Sequence, residues 1–293
     1  MSEKKKFIAT KNTSVHENLK CVLSRSLIGK IKQNGSVFVD DKFVKMSHVV
    51  CIGEEILISF PKRAKQSVSP FDFPLEIIYE DDDLIVVQKP SGMQTHCSRS
   101  DFKSTLENAY CGLLVSRGES VENFTFHPIT RLDCETSGLV LICKNPISTA
   151  KISEDMKSGK IKKQYIALAN GEIKSDFKTE LYMDRVCEKS PHRWIVDGGK
   201  YSETAFKIIE KVNGDMLVAV FPKTGRTHQI RVHLAFCGHA IVGDKLYQNG
   251  GLLQGEKPDG RLMLFMHALE FENMNGEKIN VQSKCDVSEY IRM

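Results

Sequence analysis

The sequence lacks most marks of covalent, metal or membrane chemistry. Its nine cysteines are odd in number, scattered from Cys21 to Cys285, and never form a C-x-x-C pair. That pattern excludes a disulfide framework and a zinc knuckle, and free thiols in this number suit a reducing compartment. No apolar run approaches the roughly 18 residues that span a bilayer. The start, MSEKKKFIATKN, has no apolar core of signal-peptide length. There is no glycine-rich phosphate loop, no dinucleotide fingerprint, no internal repeat and no low-complexity tract; Gly198-Gly199 and Gly250-Gly251 are isolated pairs. The expectation is a cytoplasmic, monomeric globular protein that uses neither a metal nor a nucleotide cofactor and does not engage a membrane.

What is present is ordinary in bulk and uneven in detail. The 293 residues are 41% hydrophobic and 27% charged, enough for one large domain and a smaller one. Net charge is +4, but residues 1–66 hold 13 Lys/Arg against 6 Asp/Glu, a net of +7, which leaves −3 for the rest. Such asymmetry points to a nucleic-acid or membrane-surface partner for the first segment, or to a solvated basic face.

Ser14-Val-His-Glu17 has the spacing of a capping box. The helix it opens places Val15, Leu19 and Val22 or Leu23 on one face. A second helix opens near Ser24 or Ser26, runs through Leu27, Ile28 and Ile31, and stops at Gly35 as a left-handed C-terminal residue. SVFVDDKFVK reads as a hairpin about Asp40-Asp41, and GEEILISF as a strand. Residues 61–74 hold three prolines and little apolar periodicity, so the linker is placed at 67–74, between a unit of 1–66 and a domain of 75–293. In the latter, LEIIYEDDDLIVVQKP reads as two strands around an acidic turn, and Thr105 to about Val115 as a helix. GLVLICK, QYIALANGEI, ETAFKIIEKV, DMLVAVFP and LMLFMHALEFE read as strands. The expected class is α+β: a mixed, largely antiparallel sheet with a cleft, plus a small N-terminal α/β unit.

Three stretches could carry chemistry. In TRLDCETSGLVLIC, Asp133 stands on the loop before a buried strand, with Arg131 two residues earlier and facing the same side of extended chain. Spacing alone leaves these as edge charges or as a site. KTGRTHQIRVHLAFCGHAIVGDKLY holds Arg226, Arg231, His228, His233 and His239. His228 and His233 are five apart, which on a helix is out of register for a shared metal. The run Gln229–His233 fits a strand or a helix start. Lys163-Gln164-Tyr165 opens a strand, where an aromatic is most simply core.

Residues 13–60 resemble the small RNA-binding domain named after a bacterial small-subunit ribosomal protein, which ends in V-x-x-G-D/E-x-I; here that is Val50–Ile56. The resemblance implies RNA contacts from Arg25, Lys30 and Lys32. Over about residues 75–272, the order R-L-D-x-x-T-S-G-L-x-L, K-x-Y, then G-R-T-H-Q-I-R-V-H-L-A-x-x-G-H-x-I-x-G-D-x-x-Y resembles the RluA-like family of pseudouridine synthases. E-D-D-D-L-I-V-V-Q-K-P-S-G-M and M-H-A-L-E-F resemble its other blocks.

This second resemblance implies an isomerase acting on structured ribosomal or transfer RNA. Asp133 would be the catalytic carboxylate, as a nucleophile on the sugar or as a base for the 2′ proton. Arg131 would fill the space of the flipped nucleotide, Tyr165 would stack on the base, Arg231 would pair with Asp133, and Arg226 would contact RNA. Thr130 stands where the family commonly has histidine, so altered substrate contacts are expected there. Two other classes remain on the sequence alone. One is an RNA-binding protein or chaperone without chemistry. The other is a hydrolase built on His228, His233 and Asp244, for which no metal set or nucleophile is found.

Overall fold

The computed structural model describes residues 4–23, 25–59, 68–97, 103–122, 124–188, 190, 192–253 and 260–283. Its first unit packs α1 (Val15–Leu19) and α2 (Arg25–Asn34) on a four-stranded sheet. That sheet comprises β1 (Lys4–Ile8), β2 (Ser36–Val39), β3 (Lys42–Val44) and β4 (Glu55–Ser59), in the order β1-β4-β2-β3. Val15, Leu19, Leu23, Ile28 and Ile31 from the helices meet Val37, Val39, Ile56 and Ile58 from the sheet. Leu23, not Val22, completes the face of α1.

The Ser14 hydroxyl accepts the Glu17 amide at 3.3 Å. Glu17 turns to Lys20 at 2.6 Å instead of back to Ser14, so half of the expected box forms. Asp40 and Asp41 have φ of 48° and 60°, the left-handed pair that a tight I′ hairpin turn requires. Gly35 does stop α2, but it is not left-handed. A Cβ there would stand 2.8 Å from the Ser59 carbonyl and 2.9 Å from Ile31, so close backbone approach explains the glycine. The strand β1 was not anticipated. KKKFI carries no clear alternation, and its partner β4 lies some 50 residues on.

The second unit is built on an eleven-stranded sheet. Its strands are β5 (Ile77–Glu80), β6 (Leu84–Lys89), β7 (Ser137–Cys143), β8 (Lys162–Ala169), β9 (Phe177–Arg185), β10 (Arg193–Ile195), β11 (Lys200–Val212), β12 (Asp215–Pro222), β13 (Leu264–Glu272) and β14 (Lys278–Gln282). Their order is β10-β9-β11-β12-β8-β13-β7-β6-β5, with β14 beside β13 and the short strand His127–Pro128 beside β7. Helices α3 (Leu106–Ser116), α4 (Pro146–Lys157) and α5 (Gln229–Phe236) pack on it. The class is therefore α+β with a mixed, largely antiparallel sheet. Residues 68–74 carry neither helix nor strand, yet Phe71 and Phe73 pack on the larger core, and the Phe71 amide donates to the Asn108 carbonyl. The two units touch where Ile147, at the start of α4, packs on the smaller core and where Lys5 reaches Asp83 at 3.3 Å.

The contact between β7 and β13 positions the site. It is parallel and only two residue pairs long, Ser137 with Phe265 and Gly138 with Met266. Gly138 has φ of 119°, and any Cβ would collide with the Met266 backbone. The two strands then diverge. Within the sheet, β5-β6-β7 and β8 with its further neighbours are joined through β13. The residues before β7 and those on β8 face each other across this divide.

Candidate active site

The loop before β7 is tied down at nearly every residue. The Thr130 hydroxyl accepts the Leu141 amide at 2.9 Å, and the Thr95 hydroxyl donates to the Leu132 carbonyl at 2.9 Å. The Gly92 amide and the Lys89 ammonium both donate to the Cys134 carbonyl, at 2.9 and 3.1 Å. Ser91 donates to the Glu135 carbonyl at 2.7 Å. The segment K-P-S-G-M thus acts as a cradle for the R-L-D loop. Lys89 is fully buried and also donates to the Pro90 and Met93 carbonyls, at 2.9 and 2.7 Å. Burial pulls its pKa to about 8, opposed by Cys134 and Asp133. Within the loop Arg131 is exposed, Leu132 buried and Asp133 half-buried. That alternation puts both charges on one side, as the sequence reading expects. Thr130 spends its hydroxyl on β7, which makes it a strap for the loop.

Facing this loop is the turn Lys223–His228 and helix α5. Gln229 knots the turn: its side-chain oxygen accepts from Thr224 at 2.7 Å and the Arg226 amide at 2.9 Å. Its nitrogen donates to the Glu203 carbonyl at 3.0 Å and the Thr204 hydroxyl at 2.9 Å. His228 is held at φ 57°, an uncommon conformation for a residue with a side chain. Its Nδ1 lies 2.7 Å from the Tyr247 hydroxyl, and its Nε2 lies 3.9 Å from Asp133. Burial holds the His228 imidazole below its ordinary pKa, against the pull of Asp133.

Arg231 lies one helical step behind and is 2% exposed. The sequence reading paired it with Asp133. The structure gives it a stronger partner in Asp244, through hydrogen bonds of 2.7 and 2.6 Å, while Asp133 stands 3.9 Å and Glu135 3.6 Å away. Asp244 also accepts the Leu246 and Tyr247 amides, at 2.8 and 3.1 Å. The Tyr247 ring lies 5.3 Å from the guanidinium. A buried arginine needs such a fully bonded partner. Asp244 stands 13 residues away across a turn, and no local spacing rule reveals it. His233, on the far side of α5, sits 2.9 Å from the Ser202 hydroxyl, and burial pulls its pKa to about 4. Among the described residues no group of three or more His, Cys, Asp or Glu is placed to hold a metal.

Between the two walls lies a cleft of about 780 Å³ with Leu264 of β13 in its lining. Tyr165, on β8, lines it and is 9% exposed; burial and the nearby Asp133 carboxylate raise its phenol pKa, so the phenol keeps its proton. Asp133 is the single acidic residue in the lining, against Arg131, Lys157, Lys163, Lys223, Arg226 and Arg231. The structure therefore brings Asp133, Arg131, Tyr165, Arg226 and Arg231 together. It adds Tyr247 and Lys89, to which the sequence reading gave no role, and Lys163 beside Tyr165; His228 and Asp244, considered from sequence only for a hydrolase, stand here around Asp133 and Arg231. Lys32 lies apart, exposed in a second groove of about 540 Å³ that also holds His16, Phe43 and Lys45. The side chains of Arg25 and Lys30 lie outside the described residues.

A family model for RNA pseudouridylate synthases matches residues 83–236. A protein of Chlorobaculum parvum named as an uncharacterized RNA pseudouridine synthase is 31% identical over 268 residues, covering 89% of this chain and 81% of its own. The ribosomal large subunit pseudouridine synthase C of Buchnera aphidicola is 30% identical, over 90% of this chain and 86% of its own. The ribosomal large subunit pseudouridine synthase D of Borreliella burgdorferi is 34% identical, over 78% and 71%. Among solved structures, human RNA pseudouridylate synthase domain containing 4 shares the fold with a TM-score of 0.60 at 19% identity, over 74% of this chain and 93% of that one.

Proposed function

The chain belongs to the RNA pseudouridylate synthase family, an isomerase family that converts uridine to pseudouridine in RNA, and from that premise we propose how its cleft performs the reaction. The bond from ribose C1′ to uracil N1 breaks, the base turns, and C1′ rejoins at C5; the C5 proton is lost and N1 gains one. Atoms are conserved and nothing is oxidised, so no co-reactant is consumed.

Asp133 is the catalytic carboxylate. The observation that carries this is its place as the single acid of a cleft lined by six basic residues, 3.9 Å from both the Arg231 guanidinium and the His228 imidazole. A carboxylate so placed can serve either as a nucleophile on C1′ or as a base for the 2′ proton. Tyr165 presents its ring to the uracil; stacking of this kind contributes about 1–3 kcal/mol per base. Arg131 occupies the gap that the extruded nucleotide leaves. Arg231, locked to Asp244, positions Asp133. Arg226 meets the backbone at the rim.

The substrate is ribosomal RNA of the large subunit, the class named for the Buchnera and Borreliella relatives, met in the cytoplasm by a monomer. The basic first unit supplies phosphate affinity without reading sequence, through the groove of Lys32, Lys45 and Phe43, with Arg25 and Lys30 on the same helix. The test incubates large-subunit ribosomal RNA with wild type and Asp133→Asn, labels pseudouridine chemically and maps it by reverse transcription. Wild type should mark defined uridines, and the variant should bind yet mark none. Pseudouridine formed by Asp133→Asn would overturn the assignment.

A further inference from the structure

Two cations of the cleft have no hydrogen-bond or ion-pair partner among the described residues, Arg131 and Lys163. Arg131 is exposed. Lys163 is partly buried on β8, two residues before Tyr165 and lining the same cleft. Burial lowers its pKa, and no carboxylate acts against that. The other cations of this wall are occupied: Lys223 reaches Glu203 at 2.6 Å, and Arg226 Nε donates to the Tyr201 carbonyl at 3.1 Å. Lys157 is exposed and stands 3.9 Å from Glu154.

An ammonium withdrawn from water without an acceptor is unfavourable, and perturbed charges of this kind gather where a ligand completes them. Gly225 adds a second observation. It is not in the left-handed region, so its backbone does not demand glycine. The nearest atom a Cβ would meet is the Lys163 Nζ, at 3.9 Å. The absent side chain leaves that ammonium open to the cleft.

We propose that Lys163 binds a non-bridging oxygen of an RNA phosphate adjoining the uridine that enters the cleft, with Gly225 keeping the approach clear. The inference rests on the RNA-isomerase reading above. Bases and ribose are neutral, so the phosphodiester is the anion RNA offers. Lysine serves such a group as a point charge. The contact exists before and during the reaction, so it acts on binding more than on the chemical step.

The test compares wild type, Lys163→Met, Lys163→Arg and Gly225→Val on large-subunit ribosomal RNA. It measures pseudouridine formation, melting temperature without RNA, and RNA affinity against salt. For Lys163→Met the expected result is a KM about tenfold higher with kcat largely kept. The slope of log affinity against log salt should be shallower by about 0.7–1. Its melting temperature should be unchanged or higher, because an unpaired charge is removed. Lys163→Arg should keep the wild-type slope, and Gly225→Val should raise KM while the lysine remains. A wild-type KM and salt slope in Lys163→Met would overturn the proposal. So would a loss of kcat with a lowered melting temperature, the signature of a structural role. Wild type that forms no pseudouridine at all would instead defeat the underlying isomerase reading.

Discussion

The two sides of Asp133 are built on opposite plans. Behind it, the buried Arg231, Asp244 and Tyr247 and the half-buried His228 form a set in which the charged pair is hydrogen-bonded within the protein. In front, Arg131 and Lys163 carry charge that no described residue answers. The difference separates what the protein fixes in advance from what the substrate completes. Preorganised charge need not reorganise during the reaction, and unanswered charge is reserved for a polyanion.

The comparison breaks most sharply at Asp133 itself. Asp133→Asn should lower the pseudouridine-forming rate by about 10³-fold or more with little change in melting temperature, because among the described residues its side chain makes only contacts of 3.9 Å. Next is the locked side. Arg231→Met leaves the Asp244 carboxylate buried without its cation and should destabilise the fold by about 3–5 kcal/mol, seen as a lower denaturation midpoint. Adding Asp244→Asn keeps an acceptor for the Leu246 and Tyr247 amides. The double variant should regain most of that stability while activity stays low, which separates packing from positioning.

The rear face of α5 carries a pH dependence. His233 has its pKa lowered from 6.5 to about 4 by burial, so below pH 6.5 the unfolded chain binds more protons than the folded one. Stability from the neutral ring is complete above about pH 6.5 and is lost as pH falls toward 4, by at most on the order of 3 kcal/mol. His233→Gln should show a smaller fall in melting temperature between about pH 7 and pH 5 than wild type; an identical fall would remove His233 from the account. The smallest effect belongs to the open side. Arg131→Ala should lower kcat/KM about tenfold and leave melting temperature and its pH dependence unchanged.

Much of this was legible in the sequence wherever the cause is local. The apolar run Leu139–Cys143, the Asp40-Asp41 turn and the alternation of Arg131, Leu132 and Asp133 follow from neighbours along the chain. Gln229–His233 was ambiguous because alternation and helix patterns overlap over five residues, and the side-chain knot of Gln229 decides it. The partners of Arg231 and Lys89 were not legible, since Asp244 lies across a turn and the Cys134 carbonyl lies 45 residues away. Lys163 was passed over beside Tyr165 because an unpaired charge is defined by what surrounds it. Gly35 shows the same limit: the stop was readable, the crowding that requires glycine was not.

The brief seam between β7 and β13 has a consequence for the order in which the molecule is made. Asp133 belongs to the early strands, Tyr165 and Arg231 to the middle of the chain, and β13, which joins them in the sheet, begins at Leu264. During synthesis both half-sheets therefore wait with open inner edges, exposed to mispairing. Pairings this distant in sequence form late and slowly. The site does not come together until the strand that begins at Leu264 has left the ribosome.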